Sequence, residues 1–483
     1  MSAINYNSFF KSYDIRGTYP ELDSRIYYWT GFALVNEILV PEGLSTKISV
    51  MRDCRYTSPE FYSALIQGIK DGGGEPIALG LGSTDLLYAA CQKLNGPGAM
   101  VTASHNPKDD NGLKIVKQVP QMLGLSTGLD KIRDFVVAKL VNDAYKPETI
   151  EFATNEQVKQ QVKDYYLEKL NSIGDIENVK SILKSKNQKL KIVVDCGNAM
   201  GGFVLPWVEE AYGDAVEFIK LFWDLDGNFP NHQADPLDFD TLKSLQSKIL
   251  ETKADLGIAL DGDADRVYFV NKDAEIIKGD AVVAIIASSL LQDYFENNQD
   301  ENLNPVVLFD QRSRRCVPEY VLQNAGIPVP TKVGHINFKK NMLKYGAIYG
   351  GEVSGHHYYH QFGAMDSGAM TITAFINILA KKPEIYQTVY SQIKAKYFTN
   401  QGEENITVDA GFTFETLKNK ILEAYPDADY NLLDGVTLFY PDWKANIRMS
   451  NTEAKPVLRI NIETDNSDFV IEKLREIRTN LGI

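Results

Sequence analysis

The chain has 483 residues, 44% hydrophobic and 24% charged, with 50 Lys plus Arg against 64 Asp plus Glu and a formal net charge of −14. At roughly 150 residues per domain this length predicts three or four domains, and the ordinary composition excludes a fibrous or disordered chain. The acidic balance excludes nucleic acid and anionic membrane surfaces, which are bound by a broad excess of Lys and Arg, so any phosphate must be held in a local basic pocket. Cys54, Cys91, Cys196 and Cys316 lack ligand or disulfide spacing, which argues against zinc and for a reducing, cytoplasmic setting. The longest apolar run, near Ala281 to Leu291, is too short to cross a bilayer, and the first residues show no signal-peptide h-region, so a soluble protein is expected.

In chain order, short apolar β-rich runs occur at 47–51, 76–79 and 98–103, at 191–195, 217–222 and 256–261, and at 305–310, 328–333 and 346–351. Helical-period segments lie between them, including 58–71, 240–250 and 314–324, the alternation of parallel α/β units. Three similar α/β modules are therefore expected. After about Tyr397 the texture changes to strand pairs and a terminal helix, a smaller α+β domain whose donor-rich segment ANIRMSNTEAK lies between two strands. The expected boundaries give domains 1–148, 149–274, 275–397 and 398–483.

The third strand of each module runs into a polar, Gly-punctuated loop: TASHNPKDDNGLK, DGDADR and GEVSGH. Ligands of open α/β sheets sit beyond strand carboxyl ends, so these loops predict a shared cleft rather than three solvated βα turns. In DGDADR, Asp261, Asp263 and Asp265 alternate, so an extended turn points all three carboxylates to one side, a hard-oxygen set suited to Mg²⁺. Arg266 and Lys272 stand where an EF-hand needs Gly and Glu. Ser104, followed by His105, is a nucleophile, a phosphate ligand or a turn former; the chain has no GxSxG elbow and no Walker signature. Phosphoryl chemistry at Ser104 beside a metal uses both loops together. Arg448, Ser450, Asn451 and Thr452, with Arg459 further on, form a competent phosphate clamp. Glu352 and Ser354 suit vicinal sugar hydroxyls, and His356 is a candidate proton carrier.

These four loops in this order, with YDIRG at Tyr13, RDCR at Arg52, DCGNAMGG at Asp195, DGNFPNH at Asp226 and KVGH at Lys332, resemble the α-D-phosphohexomutases, the phosphomannomutases and phosphoglucomutases, over nearly the whole chain. The resemblance implies three α/β domains and a smaller C-terminal α+β domain around a central cleft, in a monomer or weak dimer. It implies a phosphorylated Ser104 that interconverts hexose 1- and 6-phosphates through a hexose 1,6-bisphosphate, which is also the activator. It further implies one Mg²⁺ on Asp261, Asp263, Asp265 and a phosphoserine oxygen. Arg16, His105, Lys114, Arg266 and His356 would serve catalysis; Tyr13, Arg312, His335, Glu352, Ser354 and the clamp residues would bind substrate.

Two departures stand out from that pattern. Asp110 adds a carboxylate before NGLK, and Ala454 and Lys455 precede Pro456 in the phosphate loop. Val353 in GEVSGH is apolar, like the residue common in mannose-accepting and dual-specificity members, so activity on mannose and glucose is expected. The alternatives are a dedicated phosphoglucomutase, a Mg²⁺-dependent sugar phosphatase and a silent sugar-phosphate binder.

Overall fold

A computed structural model describes residues 4–142, 145–298, 304–400, 402–409, 411–450 and 456–483. The chain packs into two compact units, Met1–Ile277 with Ser354–Lys381, and Lys278–Val353 with Lys382–Ile483.

In the first unit the strands Lys47–Arg52, Glu75–Leu81 and Gly98–Val101 form a parallel set, joined by the helices Ser58–Asp71 and Thr84–Leu94. Three antiparallel strands extend this sheet: Asp110–Gln118 pairs with Gly98–Val101, and Ile15–Thr18 and Gln121–Met122 each pair with Asp110–Gln118. A second sheet repeats the plan, with Leu190–Asp195 parallel to both Val216–Leu221 and Leu256–Leu260, and Val267–Asn271 antiparallel to the last. Alternate apolar side chains on one face of each sheet fill these cores, as with Ile48, Val50, Ala99 and Val101 in the first sheet and Val193, Ala259, Tyr268 and Val270 in the second. The helix Gly368–Lys381, apolar around most of its surface, packs in this unit on Glu156–Gly174 and Ile176–Ser185.

In the second unit Val306–Asp310 lies parallel between Ile327–Thr331 and Tyr349–Gly351. The C-terminal segment forms an antiparallel sheet in the order Phe398–Thr399, Val457–Thr464, Trp443–Ser450, Val436–Phe439, Asp429–Asn431, with Glu404–Thr407 also paired to Val457–Thr464. The helices Phe414–Ala424 and Ser467–Leu481 cover its apolar face through Leu417, Ile421, Ile477 and Leu481.

All nine expected strands form, with ends shifted by up to three residues. The helix at 58–71 is as expected; that at 240–250 becomes a 3₁₀ turn, Phe239–Leu242, followed by Lys243–Thr252, and that at 314–324 shortens to Cys316–Gln323. Three expectations need correction. The α/β modules are not purely parallel, because the strands ending at the Ser104 and DGDADR loops are each followed by an antiparallel strand. The DGDADR segment is not extended: Ala264 takes φ 62° and its N–H bonds the Asp261 carbonyl, so a tight turn brings the carboxylates together. ANIRMS is the end of a strand rather than a loop, its register set by buried Ala445 and Ile447.

The helices Ser24–Ala33 and Ser58–Asp71 cross at glycines. A Cβ on Gly68 would stand 1.8 Å from the Tyr28 carbonyl oxygen, and one on Gly31 would stand 2.5 Å from that of Leu65. Alanine gains about 1 kcal/mol of helix propensity over glycine, but backbone against backbone cannot yield as a side chain does. Gly68→Ala is expected to lower unfolding free energy by about 1–2 kcal/mol, read from urea titration.

Candidate active site

Ser104 is fully buried, follows the strand Gly98–Val101, and takes the left-handed conformation with φ 54°. A non-glycine residue holds that conformation only where its surroundings impose it, and here Arg55 does so. The Arg55 guanidinium, 1% exposed, gives five hydrogen bonds: Nε to Asp53, Nη1 to the carbonyls of Pro107 and Asp110, and Nη2 to those of Ser104 and Asn106, at 2.6–3.1 Å. Thr102 Oγ1 accepts from the Ser104 N–H at 3.0 Å. Gly262 lets the acidic loop approach closely, since a Cβ there would stand 2.2 Å from the Ser104 carbonyl oxygen.

The Ser104 hydroxyl donates to Asp261 Oδ2 at 2.8 Å, and its Oγ lies 3.2 Å from His105 Nδ1. Burial, then the nearby Arg266 and Arg16 charges, pushes His105 well below the ordinary imidazole range, so it is neutral at pH 7. Asp261, Asp263 and Asp265 are buried, each offering one oxygen within 4.8 Å of the others. Lys114, on the strand Asp110–Gln118, donates from Nζ to Asp263 and Asp265 at 2.6 Å each. Burial alone would lower its pKa, but the two carboxylates reverse this and raise it, so Lys114 stays charged. Thr84 also donates to Asp263.

One lysine does not balance three buried carboxylates, and burial with repulsion from Asp265 and Asp263 drives Asp261 far above the usual carboxylate range. The Oδ1 atoms of Asp263 and Asp265 are buried with no hydrogen-bond partner among the described residues. An excess of converging hard oxygens with unspent acceptors fits a divalent cation such as Mg²⁺.

The other first-unit candidates surround this centre. Arg16 donates to Asp14, to the Ala103 carbonyl and to Asn106. Asp110 accepts from Asn106 and Thr18, so this additional carboxylate braces the Ser104 loop rather than facing the hydroxyl. Arg266 bridges backbone to His356, and its Nε lies 3.6 Å from Asp261. His356 Nδ1 stands 2.7 Å from Asp366 Oδ2 and 3.7 Å from Asp265. Tyr13 is half-buried in the bend before Ile15–Thr18, and Ser354 is buried in the loop before His357–Tyr359.

The second unit gathers the remaining candidates. Arg312 bonds Asp310, whose Oδ2 also accepts from the Val353 N–H, and it lies 3.7 Å from Glu352. Glu352 accepts from the Gly334 N–H at 2.9 Å, at the start of the helix His335–Tyr345. Arg448 and Arg459 are cross-strand partners, and Ser450 ends its strand. Asn451 and Thr452 lie outside the described residues. Arg55, Asp366 and Glu403, which binds both arginines, were not among the expected site residues. RDCR pointed to the first; no motif marked the other two.

Residues 7–138, 164–275 and 278–397 match the α/β/α domains I, II and III of phosphoglucomutase/phosphomannomutase. The chain belongs to the phosphoglucomutase/phosphomannomutase family. It is 33% identical over 467 residues to a phosphomannomutase/phosphoglucomutase of Pseudomonas syringae pv. tomato, covering 95% of this chain and 92% of that protein. It is likewise 33% identical to an Escherichia coli phosphomannomutase, covering 94% of each. Among solved structures, a phosphoglucomutase/phosphomannomutase family protein from Burkholderia thailandensis superimposes with a TM-score of 0.79 at 27% identity, covering 98% of this chain and 97% of that one. The fold is thus the family's three α/β domains with a smaller α+β domain, and the chain is a mutase, an isomerase.

Lysine can keep the charge of Arg55 but has at most three donors for five acceptors. Arg55→Lys is therefore expected to lower kcat about a hundredfold by displacing Ser104, and stability by about 2–4 kcal/mol through the hydrogen bonds lost to the loop carbonyls and Asp53. Paired assays and urea titrations check both.

Asp85 is buried and accepts from the hydroxyls of Ser83, Tyr166 and Ser367; burial outweighs these bonds and raises its pKa from 3.8 to about 6. The folded state therefore holds this proton more tightly than the unfolded chain, and the stability it contributes at low pH is lost as pH rises through that window. The unfolding free energy of wild type relative to Asp85→Asn is expected to fall by up to about 3 kcal/mol between about pH 4 and pH 7. A flat difference across that range would assign Asp85 an ordinary pKa.

Proposed function

We propose that the chain interconverts the 1- and 6-phosphates of mannose and glucose by way of a phosphorylated Ser104 and a hexose 1,6-bisphosphate. The observation that carries this reading is the Ser104 hydroxyl, 2.8 Å from Asp261, in a loop held from behind by one buried guanidinium and facing three carboxylates and a charged lysine. Phosphoryl transfer needs little covalent chemistry from the protein beyond positioning and charge stabilisation, which is what this arrangement supplies.

In the first half-reaction the substrate's free hydroxyl oxygen attacks the phosphorus on Ser104. The new O–P bond forms as the Oγ–P bond breaks; the hydroxyl proton passes to His356 at Nε2, and the Lys114 ammonium gives a proton to the departing Ser104 Oγ. Asp366, beside Nδ1, fixes the orientation of the ring. Asp261, Asp263 and Asp265 with an oxygen on Ser104 would hold Mg²⁺, which when bound supplies charge neutralisation to the transferring phosphoryl group. Lys114 and Arg266 set the local field, and Arg16 orients the Ser104 loop. Arg448, Arg459 and Ser450 would hold the phosphate that is not reacting, with Glu352 and Ser354 on the sugar hydroxyls. The second half-reaction runs the same chemistry in reverse with the bisphosphate turned end over end, so the other phosphoryl group returns to Ser104 and His356 gives back its proton.

The test is a Mg²⁺-supplemented assay primed with glucose 1,6-bisphosphate, comparing kcat/KM for mannose 1-phosphate and glucose 1-phosphate. Comparable values are expected, consistent with apolar Val353 in the sugar loop, while Ser104→Ala should lose at least about a thousandfold in kcat. A preference for glucose beyond about a hundredfold, near 2.7 kcal/mol, would make it a dedicated phosphoglucomutase. Stoichiometric release of inorganic phosphate would make it a phosphatase.

A further inference from the structure

Arg448 and Arg459 occupy directly opposed positions on the paired strands Trp443–Ser450 and Val457–Thr464. Like charges so placed repel, and the sheet alone gives no relief. The relief comes from Glu403, just before the strand Glu404–Thr407. Its carboxylate accepts from Arg448 Nη2 at 2.9 and 3.1 Å, from Arg459 Nη1 at 3.2 Å and from Asn461 Nδ2 at 2.8 Å. Both oxygens are thus used on three donors that converge as they would on an oxyanion. The Arg448 Nε is buried with no hydrogen-bond partner among the described residues, so its fork is not saturated by the carboxylate.

We propose that Glu403 is an internal anion that occupies the phosphate clamp between substrates and is displaced from it by the phosphate of the sugar. This rests on the reading of Arg448 and Arg459 as the clamp for the non-reacting phosphate. The electrostatics agree with it. Burial, then repulsion from Arg312, disfavours the Arg448 cation, and Glu403 acts the other way. Burial disfavours the Glu403 anion, but Arg448 and Arg312 together hold its pKa below the usual range, so it stays ionised. An emptied clamp would leave opposed guanidiniums half-buried and unneutralised; the side chain is in place to fill it.

The consequence concerns turnover. A bisphosphate that must turn end over end has to leave the clamp with one phosphate and return with the other. Glu403 stabilises the vacated clamp, so it weakens phosphate binding and speeds release. It also discriminates against inorganic phosphate, which lacks the sugar contacts that help to drive the displacement.

Glu403→Gln keeps the shape and removes the charge. With inorganic phosphate as the probe in calorimetric titrations, this variant is expected to bind about tenfold more tightly than wild type. The KM for glucose 1-phosphate should fall by a similar factor and kcat should fall with it, because the phosphate leaves the clamp more slowly. Weaker or unchanged phosphate binding, or a raised KM, would overturn the proposal and make Glu403 a strut that orients the arginines. Arg448→Ala separates the two readings. If it weakens phosphate while Glu403→Gln fails to tighten it, only the internal-anion proposal falls. If it leaves phosphate affinity untouched, the clamp reading falls and takes the proposal with it. Should Glu403→Gln not fold, Glu403→Asp carries the test, since its shorter carboxylate reaches fewer donors and is expected to give a smaller gain of the same sign; a loss would overturn the proposal.

Discussion

The buried guanidinium of Arg55 is the constraint on which the Ser104 region depends. A loop that turns back into an antiparallel strand leaves several carbonyls pointing at the buried Arg55 side chain, and each would cost on the order of 1–3 kcal/mol if left buried and unpaired. Arg55 bonds four of them from one planar group, and Asp53 anchors that group through its fifth N–H. Lysine or histidine could not match this geometry. The strained φ of Ser104 persists because its own carbonyl is one of the four. The hydroxyl's direction, and with it the 2.8 Å contact to Asp261, follows from a residue that the hydroxyl never touches.

Around that fixed hydroxyl the electrostatics are local and opposed to the global charge. A formal −14 repels a phosphate dianion at long range, yet within a few ångströms the balance is set by Lys114, Arg16 and Arg266. These cations do not stand alone. Lys114 is pinned by two carboxylates, Arg16 by Asp14 and Arg266 near Asp261. Pairing limits the desolvation penalty of burying charge and fixes the direction of each donor, so little reorganisation remains for the reaction itself.

Much of this was legible in the sequence, for physical reasons that can be named. The nine apolar strands of the α/β modules announced themselves because buried parallel strands read as unbroken apolar runs. The loops at their ends stood out by polarity and glycine content, which located Ser104, the three aspartates and Glu352. What was misread has an equally plain cause. WKANIRMS alternates in a strict period of two, but its polar face of Lys444, Asn446 and Arg448 gives it a loop-like composition, so the donors were legible and the strand beneath them was not. The DGDADR alternation suggested an extended segment, whereas the hairpin requires a tight turn with Ala264 left-handed. Asp366 and Glu403 could not be found by motif, because each acts on a residue brought to it by tertiary pairing: His356 across a short hairpin, and Arg448 with Arg459 across a sheet.

The two charged clusters follow one rule with opposite signs. The aspartates of the first hold more negative charge than Lys114 balances and leave buried acceptors without partners, a state that a divalent cation completes. The arginines of the second hold opposed positive charges and are balanced by a side chain of the chain itself. A resident cation should stay bound through the catalytic cycle, so its site is left incomplete without it; a substrate phosphate has to come and go, so its site is provisioned for the moments when it is absent. On this view the difference between a cofactor site and a substrate site lies in what stands in for the missing charge. If the arginines are the phosphate clamp, as proposed, the internal carboxylate of Glu403 makes their cluster a place of exchange rather than of permanent occupancy.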